Sequence, residues 1–171
     1  MKKVILGATG SIGSSLAKKL VESGEQVHLV GRDEASLSEL ANELNSTFTT
    51  CDVLEENFSE KIINDLKDEQ VNGLAYCVGS IDLKPLKLTK KSDFMQSFNL
   101  NLVSATEIIK SLADNLKASK GSIVLFSTVA VQQGFPNHAI VSSAKGAVEG
   151  LTLALAAEYA PNIRVNCIAP S

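Results

Sequence analysis

The sequence predicts a doubly wound α/β domain, a parallel sheet with helices on both faces. Six short apolar runs alternate along the chain with five longer stretches of helical period. The short runs are nearly continuous in apolar character, as strands buried on both faces are. A helical stretch stands between every consecutive pair of strands, so each crossover can return the chain parallel and right-handed. The 171 residues are the size of one domain, so 1–171 reads as a single unit.

Lys3–Gly7 is a β-branched run, and Ser11–Ser23 follows it with Ile12, Leu16 and Leu20 at helical spacing. Gln26–Gly31 is the second strand, and Leu37, Leu40 and Leu44 mark one face of the second helix. Thr47–Asp52 is the third strand. The third helix is predicted over Glu55–Asp68, with Ile62, Ile63 and Leu66 on its apolar side. Asn72–Gly79 reads as a buried strand, and one long helix is expected from Ser92 to Lys117. Ser122–Ser127 is the fifth strand. Asn137–Tyr159 is the last helix, with Asn137 as its N-cap, and Asn162–Ala169 is the sixth strand.

Composition narrows the function. A net charge of −3 argues against general binding of nucleic acid or an anionic membrane. Lys2-Lys3-Val4-Ile5-Leu6 imitates the start of a signal peptide, but Gly7 ends the apolar run far short of the ~7–15 residues such a region needs. No apolar stretch in the sequence approaches the ~20 residues that span a bilayer. Cys51, Cys77 and Cys167 are odd in number and widely spaced, which reads as reduced, buried strand cysteines of a cytoplasmic protein. No cluster of His, Cys, Asp and Glu has metal-ligand spacing, so no metal site is predicted. His28, inside the second strand, reads as a packed residue. Ending at Ser171, directly after an apolar sixth strand, the sequence is expected to be the N-terminal part of a longer protein whose later residues cover that edge.

The chemistry begins at Gly7-Ala8-Thr9-Gly10-Ser11-Ile12-Gly13, a G-x-x-G-x-x-G loop joining the first strand to the first helix. Glycines there permit a tight turn, close approach of a pyrophosphate to the backbone and close helix–strand packing, and the helix start favours the anion. Arg32 lies ~20 residues further on, where an acid would bond a ribose 2′-hydroxyl and an arginine would accept a 2′-phosphate. Guanidinium matches phosphate geometry, so Arg32 points to NADP(H) over NAD(H). The alternative is a solvated Arg32 beside an Asp33 that caps the next helix.

With these residues, Cys51-Asp52-Val53, Asn101-Leu102, Ile123-Val124-Leu125-Phe126-Ser127-Thr128, Ser143-Ala144-Lys145-Gly146-Ala147-Val148 and Arg164-Val165-Asn166-Cys167-Ile168-Ala169-Pro170, the chain resembles the short-chain dehydrogenase/reductase family. The motifs run in that family's order over all 171 residues, which make up about the first two-thirds of a typical member. The resemblance implies a Rossmann-like sheet with strand order 3-2-1-4-5-6 and hydride transfer between a nicotinamide and a small carbonyl or alcohol. It implies adenine contacts from Asp52 and Val53, although Asp52 and Glu55 also fit a helix capping box. Tyr76-Cys77-Val78-Gly79 stands where the family has Asn-Asn-Ala-Gly, and Gly79 keeps the close backbone approach.

Catalysis in the family uses Asn, Ser, Tyr and Lys. Here Asn101 and Lys145 match, Thr128 stands at the serine position with Ser127 as its neighbour, and Val141 occupies the tyrosine position. Valine exchanges no proton. Ser142 and Ser143 are weak acids expected on other helix faces. His138, three residues before Val141, is the rescue the sequence offers, against a surface-loop histidine after Pro136. The resemblance and the small residues of the last helix imply a homo-oligomer through the 92–117 and 137–159 helices. Three readings stay open: an active oxidoreductase, a nucleotide-binding protein or partner subunit without turnover, and a fragment without a competent substrate site.

Overall fold

A computed structural model describes all residues Met1–Ser171. The strands β1 (Lys2–Leu6), β2 (Gln26–Gly31), β3 (Thr47–Thr50), β4 (Val71–Tyr76), β5 (Ser122–Phe126) and β6 (Arg164–Ile168) form one sheet in the order β3-β2-β1-β4-β5-β6. Every pairing is parallel. Central β1 sets Ile5 opposite Leu29 of β2 and Ala75 of β4. Chain order reverses direction between β1 and β4, so their C-terminal ends diverge into the crevice where such sheets bind ligands.

Helices α1 (Ser11–Glu22) and α2 (Glu34–Leu44) cover one face, packing Ala17 and Leu37 over Ile5, Leu29 and Ala75. On the other face lie α3 (Phe58–Leu66), α4 (Lys91–Phe98), α5 (Ser104–Ala118) and α7 (Ala139–Tyr159), where Val4, Leu74 and Ile123 pack against Phe58, Ile62, Ile109, Leu112 and Val148. A four-residue α6 (Ala130–Gln133) and a 3₁₀ turn at Leu86–Leu88 were not legible as periodic segments. By length and composition α7 could cross a membrane. The sequence reading expected no apolar stretch of spanning length. In the fold Ile140, Val141, Ala144 and Val148 are buried, and α7 packs on β6.

Several expected boundaries move, each for a local reason. The third helix starts at Phe58, not Glu55: the Asp52 carboxylate accepts the Leu54 N–H at 3.0 Å in a turn of its own, so Asp52 caps no helix. Asn137 does not cap α7. It sits at φ 67° with its carbonyl accepting the Lys84 N–H at 3.0 Å, and His138 is the N-cap. Cys51 and Cys77 lie just past the ends of β3 and β4, leaving Cys167 alone within a strand; all three are free thiols.

The expected long helix exists but is not uniformly α. Between α4 and α5 the residues Asn99–Val103 form a π turn. The Ser104 N–H reaches the Asn99 carbonyl five residues back, and its hydroxyl donates to the same oxygen at 2.9 Å. Tyr76, at the end of β4, donates to the Leu100 carbonyl at 2.7 Å and pins the turn to the sheet. Such turns place single side chains where a regular helix would not, and Asn101 lies inside this one.

Candidate active site

The glycine loop is shaped by contacts that admit no side chain. Gly7 has φ +75°, and a Cβ on it would stand 2.9 Å from the Cys77 carbonyl. A Cβ on Gly13 would stand 2.2 Å from the Gly7 oxygen, so α1 can sit this close to β1 only with glycine there. The N–H groups of Ser11, Ile12 and Gly13 open α1 without a hydrogen-bond partner in the chain, and the first turn holds no carboxylate. This end of the helix is a cradle for an anion.

In front of it lies a cavity of about 680 Å³ at the C-terminal ends of β1, β2 and β4. Gly7, Thr9, Gly10, Arg32, Asp52, Val53 and Gly79 line it. Ser11 and Gly13 do not; Ser11 is exposed and Gly13 is packed under the loop. At the rim an Arg32 Nη1 lies 3.5 Å from Asp52 Oδ2, with the Arg32 side chain 74% exposed. An ion pair this open holds the guanidinium weakly. Asp33 is engaged elsewhere: its carboxylate accepts the Ser36 N–H at 2.8 Å, capping α2, and the Ser36 hydroxyl first and then that N–H hold its pKa below the ordinary value.

A second cavity, about 310 Å³, adjoins the first, and both share Cys77, Val78, Gly79 and Ser80. Ile12, Thr128, His138, Val141 and Lys145 line this smaller space. Lys145 is 9% exposed; its carbonyl accepts from the Ser127 hydroxyl at 3.4 Å, while its ammonium makes no hydrogen bond or ion pair. Burial draws its pKa down, opposed by Cys167 and Cys77 nearby. Asn101 is buried, its amide donating to the Ser97 carbonyl at 2.9 Å and its Oδ1 unpartnered. A Cβ on Gly79 would come 3.0 Å from that Oδ1 and 3.2 Å from Lys145 Nζ. Both groups therefore converge on the space over Gly79, which only glycine leaves open.

The neighbouring hydroxyls separate by what holds them. Ser127 donates to Glu149 Oε1 at 2.5 Å and is committed, whereas Thr128 Oγ1 only accepts the Ala130 N–H at 3.3 Å and keeps its own proton to donate. Ser142 and Ser143 bond helix carbonyls and line neither cavity. The Cys77 thiol is pushed up to about 12, chiefly by burial. No group of three or more His, Cys, Asp or Glu side chains is placed to hold a metal ion.

Residues 7–171 match a family model described as enoyl-(acyl carrier protein) reductase. L-fucose dehydrogenase of Oryctolagus cuniculus is 32% identical over 172 residues, which are 98% of this chain and 61% of that protein. The chain belongs to the short-chain dehydrogenase/reductase family. L-xylulose reductase of Bos taurus is 31% identical over 176 residues, 99% of this chain and 70% of that protein. A solved short-chain dehydrogenase/reductase family protein superposes with a TM-score of 0.93 at 25% identity, covering 100% of this chain and 74% of the other. L-sorbose reductase of Gluconobacter frateurii, solved with NADPH and L-sorbose, shares the fold with a TM-score of 0.94 at 22% identity, over 99% of this chain and 68% of that one. The chain thus spans about three-fifths of the length of the first of these relatives.

This member of the family has no phenol in either cavity. Of its two tyrosines, Tyr76 is buried against the π turn and Tyr159 ends α7. Sequence reasoning did not assign Cys77, Val78 and Ser80 to the site. Their signal was available, since they flank Gly79 at the end of a central strand. The lining by Gln96 was not legible, because the π turn sets how α4 approaches the sheet.

Proposed function

We propose that the chain binds NADP(H) and serves hydride transfer between its nicotinamide and a small carbonyl or alcohol. The observation that carries this is the junction of the two cavities at Gly79. There an anion cradle and a basic rim open directly onto a pocket lined by a lysine whose ammonium is unpartnered, with the unpartnered Asn101 oxygen buried beside Gly79. The fit with a dinucleotide phosphate is good on the side chains present. The α1 N–H groups would hold the pyrophosphate, Asp52 and Val53 the adenine, and Arg32 the 2′-phosphate, while Asp33 is bound to α2 and so does not compete for a 2′-hydroxyl. Lys145 would hold the ribose hydroxyls near the reacting end, Thr128 would donate to the substrate oxygen, and Asn101 would order a water beside Lys145. A nicotinamide bound there supplies or accepts the hydride.

The substrate class is a small polyhydroxylated or cyclic carbonyl, in keeping with a pocket of about 310 Å³ and with the sugar named for several relatives. A homo-oligomer through α4–α5 and α7 follows the family, and the outward face of α7 suits it, with Leu153 75% exposed among small residues. The three free thiols support a cytoplasmic setting. A second reading, nucleotide binding without turnover, is favoured by Val141 alone.

Fluorescence titration with NADPH and NADH tests the cofactor reading. NADPH is expected to bind more tightly, and Arg32→Ala to cost NADPH roughly tenfold or more while leaving NADH within threefold. Equal loss for both cofactors, or none, would remove Arg32 as the phosphate partner. A folded protein that binds neither would reject the site.

A further inference from the structure

The smaller cavity faces a problem of proton supply. Reduction of a carbonyl needs one proton for each hydride, and the position that the family fills with a phenol holds Val141, 3% exposed and inert. Of the side chains lining the cavity, only Cys77, His138 and Lys145 carry an exchangeable, ionisable proton. Cys77 is a poor donor near neutrality because burial has pushed its thiol to about 12. Lys145 is turned to the space over Gly79, beside Asn101.

His138, Val141 and Lys145 stand at i, i+3 and i+7, one stripe of α7 and its cap, and all three line the cavity. The imidazole is fixed in place: its Nδ1 lies 2.7 Å from the Pro136 carbonyl, and Phe135 packs against the ring with centroids 5.4 Å apart. A carbonyl oxygen can only accept, so Nδ1 carries hydrogen and Nε2, which makes no bond in the chain, is the nitrogen that gains and loses a proton. An orienting acceptor on one nitrogen with the other free is the arrangement that makes histidine an acid–base group.

We propose that His138 Nε2 takes the place of the missing phenol as the proton donor and acceptor for this site. This rests on the oxidoreductase reading above. In the reducing direction the carbonyl carbon receives the hydride and its two electrons from NADPH, the C=O π pair moves to oxygen, and Nε2–H of the imidazolium delivers the proton to it. The products are the alcohol, NADP⁺ and a neutral imidazole that still donates Nδ1–H to Pro136. Solvent returns the proton to Nε2, since His138 is only half-buried. Lys145 lines the same cavity, and on the loop next to it the Lys84 N–H bonds the Asn137 carbonyl while the Lys84 ammonium pairs with Asp82 and with Asp93 of α4.

The test has one arm that needs no turnover. The chain has two histidines, and His28 is fully buried with both nitrogens bonded to Thr47 and Thr49. Diethyl pyrocarbonate acylates unprotonated imidazole nitrogens, so of the two histidines His138 alone is expected to carry a carbethoxyl group, located by mass spectrometry. Nitrogen-15 NMR is expected to show the Nδ1–H tautomer. An unreactive His138, or an Nε2–H tautomer, overturns the assignment.

The second arm measures NADPH oxidation with L-xylulose and 2,3-butanedione for the wild type, His138→Gln, Val141→Tyr and the double variant. The expected result is a loss of about 100-fold in kcat for His138→Gln with KM within threefold, shrinking to less than about threefold once Val141→Tyr supplies a phenol. Wild-type turnover that His138→Gln leaves within threefold overturns the proposal and keeps the oxidoreductase reading. Turnover by Val141→Tyr but not by the wild type overturns it as well, showing a frame without an acid. Silence of both proteins with NADPH bound overturns the oxidoreductase reading itself.

Discussion

The two cavities are built from different materials. The larger is a backbone site: its cradle is three N–H groups at the start of α1, two glycines tolerate no Cβ, and Arg32 is the one cation in its lining, beside Asp33 and Asp52. The smaller is a side-chain site of about 310 Å³, lined by Lys145, Thr128, His138 and Val141, with Asn101 buried behind Gly79 and lining neither cavity. A backbone site survives most side-chain exchanges because its donors belong to every residue. A side-chain site changes its chemistry with a single substitution, and on the reading proposed above Val141 is one, carried by a helix that stays intact. That reading makes binding and turnover separable in this fold.

The sharpest way to break that contrast is Gly13→Ala. A methyl group 2.2 Å from the Gly7 oxygen forces the loop off β1, so NADPH affinity is expected to fall by about 1,000-fold, while His138 keeps its reactivity toward diethyl pyrocarbonate. Titration calorimetry alongside carbethoxylation reads both halves at once. Retention of NADPH affinity would show that the backbone cradle is not what binds.

The two histidines sharpen the comparison next. Thr49 donates to Asp65 Oδ2 at 2.6 Å and therefore accepts from His28 Nε2–H; Lys2 donates to Thr47, which in turn gives its hydroxyl proton to Nδ1. Every hydrogen in that chain is placed, leaving no room for a second proton on the ring. Burial first, then Lys2, lowers the His28 pKa to about 4. Because the folded pKa is depressed, the unfolded chain binds the proton more readily. Stability is full above pH ~6.5 and falls as pH drops toward 4, by on the order of 3 kcal/mol. Urea unfolding from pH 7 to 4 measures the fall, and NMR of the His28 ring, expected to stay neutral above pH 5, assigns it.

The smallest effects separate the two adjacent hydroxyls. Ser127→Ala, which frees the Glu149 carboxylate, is expected to cost about 1 kcal/mol of stability with turnover within threefold. Thr128→Ala is expected to lower kcat by about tenfold or more with little change in stability. Reversal of the two outcomes in paired unfolding and kinetic measurements would move the substrate contact to Ser127.

Much of this was readable in the chain. The β1–α1 glycine spacing, the basic residue after β2 and the helical interval from Val141 to Lys145 are local patterns, and local patterns survive translation into structure. The order β3-β2-β1-β4-β5-β6 was expected through family resemblance and stands in the fold. What could not be read involves partners far apart in sequence. The Ser127–Glu149 bond joins a strand end to a helix 22 residues away. The π turn that aims Asn101 is set by the Tyr76 and Ser104 contacts to backbone carbonyls, which a helical hydrophobic period does not show. Asp52 was readable as a helix cap only because sequence cannot tell a turn that stops from one that continues.

The sequence by itself determined the fold class, the glycine loop between β1 and α1 and the valine four residues before Lys145, since each follows from residue type and spacing along the chain. Only the tertiary structure decided which hydroxyl is free, where Lys145 and Asn101 meet, and which nitrogen of His138 is available. Those depend on distances between side chains that the chain brings together only when the sheet closes over its core.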